Sequence, residues 1–157
     1  MIERVIVGPA VGASIAGHIA AVPERETGGI LLGRLEAPGV VTVTKVSPPG
    51  PRAVHKRFFF SRDTRFLQRW LDEEYGRSEG EEDYIGEWHV HPNLDAPPSC
   101  FDRRALWRIA RRSNYKTDEP VLLIVENAPP ERRFRVYGFE TMPKRCQEAE
   151  CLSEVPE

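Results

Sequence analysis

Tyr84-Ile85-Gly86-Glu87-Trp88-His89-Val90-His91-Pro92, running on through Asn93-Leu94-Asp95-Ala96-Pro97-Pro98 to Ser99-Cys100-Phe101-Asp102, reads as a strand, a loop and the start of a helix. Tyr84–Val90 is the predicted strand and Pro92–Pro98 the irregular loop. Ser99–Ser113 is the predicted helix, with Phe101, Ala105 and Ile109 on one face and Arg104, Arg108 and Arg111 on the other. Side chains two apart on a strand point the same way. His89 and His91 are therefore offered together at the strand end. Asp102 falls in the first turn of the helix, where a folded-back loop can bring its carboxylate to the two rings. Two imidazoles and one carboxylate suit a catalytic zinc, which keeps a fourth position for water. Ser99-x-x-Asp102 also has the form of a capping box, and a helix start is a rigid place to hold a ligand, so both readings can stand together.

Outward from this stretch, strands and helices are mixed. Ile2–Val7 reads as a strand. Gly8-Pro9 opens a helix with Val11, Ile15, Ile19 and Val22 at helical spacing, and Pro23 ends it. Thr27–Leu35 reads as a buried strand and Val40–Val46 as its hairpin partner. Arg57–Ser61 is a further predicted strand. Asp63 or Thr64 caps a helix over Arg65–Tyr75, followed by the acidic loop Ser78–Asp83. Val121–Glu126 and Arg133–Phe139 are strands parted by Ala128-Pro129-Pro130. Neighbouring strands fall in hairpins more than in a βαβ repeat, which predicts an α+β class. Residues 1–140 are expected to form one domain, and 141–157 a polar, flexible tail.

Composition excludes several alternatives. A chain of 157 residues, 40% hydrophobic and 29% charged, is one average globular domain, too short for a TIM barrel. The net charge of −2 offers no general attraction to nucleic acid or acidic lipid. No apolar run approaches the roughly 20 residues of a membrane span, and Met1-Ile2-Glu3-Arg4 lacks the layout of a signal peptide. Cys100, Cys146 and Cys151 are odd in number and widely spaced, which argues for reduced thiols in a cytosol. Cys146 and Cys151 could still pair in the tail. Cys100 reads as a small packed residue, and His18 and His55 as structural or surface residues.

His89-x-His91-x7-Ser99-x2-Asp102 resembles the JAMM motif of the JAB1/MPN/Mov34 metalloprotease family in residue types and spacing. That motif's remaining member is a Glu just before a Gly-rich aliphatic strand. Glu26-Thr27-Gly28-Gly29-Ile30-Leu31-Leu32-Gly33 looks like this element. Glu24 competes with Glu26, but only Glu26 lies seven residues before the closing Gly. Val90 stands where a Ser or Thr is frequent, and on a strand it should face away from the metal. Metallo-β-lactamase and amidohydrolase patterns fit less well.

The resemblance covers roughly residues 1–140. It implies an MPN, cytidine-deaminase-like fold, with a mixed curved sheet flanked by helices. It implies Zn²⁺ held by His89, His91 and Asp102, Glu26 as general base, and Ser99 as donor to the oxyanion. Glu87 and Trp88 flank the site and read as packing. The implied reaction is cleavage after the C-terminal Gly of a ubiquitin-like protein. The setting would be a cytoplasmic bacterial conjugation system with E1- and E2-like enzymes, linked to antiviral defence. Release of a small amine such as cysteine from a ubiquitin-fold sulfur carrier is an alternative, as is a silent MPN scaffold. In relatives two insertions grip the substrate; the matching segments here are about Asp63–Asp83 and Asn114–Glu119.

Overall fold

A computed structural model describes residues 1–111 and 117–153. In chain order the elements are β1 (Arg4–Val7), α1 (Pro9–Ala21), β2 (Gly28–Ala37), β3 (Val40–Val46), β4 (Val54–His55), β5 (Phe60–Ser61), α2 (Thr64–Arg77), β6 (Asp83–His91), α3 (Cys100–Ala110), β7 (Val121–Ala128), β8 (Glu131–Thr141) and β9 (Lys144–Ser153). Seven strands form one ring in the order β1-β3-β2-β6-β7-β8-β9, and β4 and β5 form a separate small hairpin. The ring is mixed: β1–β3, β1–β9 and β6–β7 are parallel, and the other pairs are antiparallel.

The sheet's curvature, expected from the resemblance, runs to full closure, and β9 is what closes it. The segment expected to be a flexible tail pairs with β8 on one side and β1 on the other. Its composition misled because the strand is largely exposed, with polar side chains on both faces. A strand that closes a ring is held by its ladder hydrogen bonds and needs little apolar content of its own. Cys146 stands opposite Phe139 and Cys151 opposite Val5, and both are free thiols. Five residues apart on a strand, they face opposite sides and do not pair. The predicted strand Arg57–Ser61 shrinks to Phe60–Ser61.

Both faces of the central strands are covered. α1 lays Val11, Ile15 and Ile19 against Val5, Val43, Trp88, Val90, Leu123 and Val125. On the opposite face, Leu106 of α3 packs on Leu122, Ile124 and Phe139. Leu67 of α2 meets Ile30, Tyr84 and Ile109. This double cover is why Val121–Val125 is apolar without alternation.

A bulge in β6 sets the facing of the key residues. Leu31 pairs with Gly86 and Leu32 with Tyr84, so Ile85 is left over between them. The alternation reverses there. Tyr84 packs on the α2 side and Ile85 on the α1 side, while Trp88 and Val90 point to the α1 core. Glu87, His89 and His91 consequently share the face of the α2–α3 side.

Candidate metal centre

Each side chain of the cluster is placed by a different element. His89 and His91 end β6. The chain then crosses the 92–98 loop to Ser99, which is the N-cap of α3, with its hydroxyl accepting from the Asp102 N–H at 3.1 Å. Asp102 Oδ2 accepts in return from the Ser99 N–H and from the Ser99 hydroxyl, each at 2.7 Å. This capping box, of a kind that stabilises a helix start by about 1 kcal/mol, also fixes the carboxylate. Asp102 Oδ1 lies 3.0 Å from His89 Nδ1, and Oδ2 lies 3.8 Å from His91 Nε2. One ligand atom from each of His89, His91 and Asp102 falls within 4.8 Å of the other two.

Glu26 reaches the same place from the opposite strand. Gly28 pairs with His89 in the antiparallel β2–β6 ladder, and Val90 donates its N–H to the Thr27 carbonyl at 2.8 Å. Continuing that register sets Glu26 across from His91, with both side chains on one face. The β4–β5 hairpin grips Glu26 by its backbone. Its N–H donates to the Lys56 carbonyl at 2.7 Å, and its own carbonyl accepts from His55 Nδ1 at 3.2 Å. His55 thus has a structural role, as its sequence context suggests, and His18 is stacked on Trp88 at 5.6 Å.

Burial pushes the Glu26 carboxyl up, and Asp102 adds to this against the pull of His89. Burial lowers His91, which favours its neutral, lone-pair form. Burial opposes ionisation of Asp102, but the hydrogen bonds and charge of His89, together with Ser99, hold it well below the usual carboxylate range. An ionised carboxylate beside two imidazoles is a donor set for a divalent cation. His89 Nε2 is buried with no hydrogen-bond partner, a state that costs free energy unless something answers it. The residues present therefore fit a metal ion.

Sequence reading undervalued some neighbours. Glu87, which reads as packing from the sequence, does more than pack. It is almost fully buried, its carboxylate takes both guanidinium NH₂ groups of Arg62, and its Oε2 lies 3.7 Å from His89 Nε2. Its position two residues before His89 was the available signal. A cleft of about 300 Å³ holds Glu26, His89, His91, Ser99 and Asp102, and Phe58, Phe59 and Phe101 line it too. These three rings are largely exposed. Cys100, expected to be packed, is also exposed, because the first turn of α3 turns it away from the sheet.

Of the two expected substrate-gripping segments, the first is largely the packed helix α2. Glu82 at its end lies 3.7 Å from Lys45, so part of its acidity is answered internally. In the second, residues 114–116 lie outside the described residues, as do residues 112–113 of the predicted helix. Among the described residues no helix is long and apolar enough to cross a membrane.

Comparison with known proteins gives the family and the fold. The profile of the prokaryotic homologs of the JAB domain matches residues 9–137. A protein of Sinorhizobium fredii named probable metalloprotease y4qB is 35% identical over 105 residues, covering 66% of this chain and 64% of its own length. Proteins named CD-NTase/cGAS isopeptidase are similar as well. The Enterobacter hormaechei protein is 33% identical over 110 residues, covering 66% of this chain and 57% of its own length. The Vibrio cholerae protein is 34% identical over 100 residues, covering 64% and 60%. The chain thus spans less than two thirds of the length of these relatives. The solution structure of protein DSY2949 from Desulfitobacterium hafniense superposes with a TM-score of 0.72 at 18% identity, covering 97% of this chain and 94% of that one, and so shares the fold. The chain belongs to the family of prokaryotic homologs of the JAB domain.

Proposed function

We propose that this JAB-family chain is a zinc-dependent isopeptidase or peptidase, cleaving after the C-terminal Gly of a ubiquitin-like protein. We place it in a bacterial conjugation system linked to antiviral defence, with E1- and E2-like enzymes as partners. The observation that carries the reading is the convergence of His89, His91 and Asp102 in the cleft that also contains Glu26 and Ser99. The relatives named CD-NTase/cGAS isopeptidase support an isopeptide bond on a protein as the target, and the relative named as a metalloprotease supports a metal.

His89, His91 and Asp102 would hold the ion. When bound, zinc would supply Lewis acidity and bring the pKa of a water to about 7. Glu26 takes a proton from the attacking water and returns it to the leaving amine. Its carbonyl and N–H are tied to the β4–β5 hairpin, so the carboxylate is delivered from a fixed backbone. The Ser99 hydroxyl proton rests on Asp102 Oδ2. To stabilise a developing oxyanion it must turn away from that oxygen, and Asp102 then keeps the Ser99 N–H as a donor. Phe58, Phe59 and Phe101 offer apolar surface to the extended tail of the substrate.

The test is incubation of the protein with ubiquitin-like fusions extended past their C-terminal Gly and with lysine-linked conjugates. Wild type is expected to release the extension, and neither the chelator-treated protein nor Glu26→Ala to do so. Failure on every such substrate with a zinc-loaded protein would end the proposal.

A further inference from the structure

The apolar run Val121–Val125 ends on a carboxylate. Glu126 is fully buried, which is unfavourable for a charge unless it is paired. Arg135 of β8 donates to Oε1 at 3.2 Å, and the Ala96 N–H donates to the same oxygen at 3.0 Å. The Asp95 amide also favours the charged form of this carboxylate. Against the effect of burial, Arg135 and the two amides hold Glu126 below the usual carboxylate range. Asp95 itself stands at φ 55°, a left-handed conformation that Asp tolerates, in a turn that presents successive amides to an anion. The 92–98 loop is therefore pinned to the sheet by one buried side chain.

The same residue that Glu126 holds also serves His91. The Ala96 carbonyl accepts from His91 Nδ1 at 3.2 Å, and Glu126 is the partner of His91 in the parallel β6–β7 ladder. Arg135 is fixed in turn by two bonds to Glu148 of β9, each 2.8 Å. A chain of contacts thus runs Glu148, Arg135, Glu126, Ala96, His91.

We propose that Glu126 is a positioning residue for His91. By holding Ala96 it holds the acceptor of the His91 Nδ1–H, so His91 keeps its proton on Nδ1 and turns an unprotonated Nε2 toward Asp102. The inference rests on the metal-centre reading above. Such supports behind a ligating imidazole fix its tautomer and orientation, and their loss commonly weakens metal affinity by about 10–100-fold.

The test compares full-length wild type, Glu126→Gln and Glu126→Leu. Imidazole ¹⁵N NMR of the metal-free proteins at pH 8 reads the His91 tautomer. Competition with a chromophoric chelator reads Zn²⁺ affinity, and thermal melts report folding. Expected are a Nδ1-protonated His91 in wild type, and mixed tautomers with about 10–100-fold weaker Zn²⁺ binding in Glu126→Leu. Glu126→Gln keeps an oxygen for the Ala96 amide and should fall between the two. Folded variants with wild-type tautomer and affinity would overturn the proposal, as would a wild-type His91 protonated at Nε2. If Glu126→Leu does not fold, Glu126→Gln carries the comparison. If wild type takes up no Zn²⁺, the metal-centre reading fails, and the tautomer comparison still decides the role of Glu126.

Discussion

Gly28 and His89 are partners across the β2–β6 ladder, and the side chain that Gly28 lacks is the space the His89 ring uses. A Cβ at position 28 would lie 2.3 Å from the Trp88 carbonyl oxygen and 2.8 Å from His89 Cδ2. Backbone cannot yield there, so the ring must move or the ladder must open. Gly28→Ala is expected to weaken Zn²⁺ binding by about 10-fold or more and to destabilise the protein by about 1–3 kcal/mol. Zinc titration and denaturant unfolding check the two effects, and wild-type values in both would mean the contact is not restrictive.

Glu26→Gln and Glu26→Ala remove the base and leave the proposed ligands. Both variants should keep one zinc while turnover drops by about 10²–10⁴-fold. Metal analysis beside a cleavage assay separates the two properties. A folded variant that has lost its zinc would mean that Glu26 is itself a ligand.

His89→Ala and Asp102→Ala should abolish stoichiometric zinc, and a chelator should stop wild-type activity until zinc is returned. Asp102→Ala should additionally lose about 1 kcal/mol of helix stability, because its carboxylate answers the Ser99 N–H in the capping box. Unaltered zinc content in both variants would remove the site.

Ser99 has two roles that substitution can separate. Ser99→Gly keeps a tolerable N-cap, at a cost of only a few tenths of a kcal/mol, whereas Ser99→Ala loses about 1 kcal/mol. Both lack the hydroxyl, so both should lose about 10²–10³-fold in kcat. Thermal melts and kcat should therefore rank the two variants differently; equal, wild-type kcat would leave the serine with the cap alone.

Deletion of residues 144–157 removes β9 and leaves β8 and β1 without a partner on that side. It should abolish the cooperative unfolding transition or produce aggregates, since bare edges pair with other chains. Gel filtration and a thermal melt test this. A monomeric shortened chain with an unchanged melt would return the segment to the status of a tail.

The local parts of the centre were legible because they are local. Two residues on one strand face share a direction whatever surrounds them, so His89 and His91 could be paired from spacing. Ser99 and Asp102 announced a helix start by their own chemistry. The Gly-rich segment after Glu26 could be matched to a family element from its residues alone, and the structure then shows Gly28 against His89. The flanking elements followed in the same way, from the period of the apolar residues and from proline and glycine at their ends.

What spacing along the chain could not decide is what lies across from what. Glu126 closes an apolar run and looks like its polar end, yet folding buries it opposite His91 and under the 92–98 loop. Glu87 looks like packing until Arg62 is brought onto it. β9 looks like a tail because its side chains are polar, and only the ring's two open edges make it a strand. Periodicity and capping are properties of a few adjacent residues and can be read from the chain alone. The charge partners of a buried carboxylate and the neighbours of a closing strand are distant residues, and the tertiary structure alone brings them together.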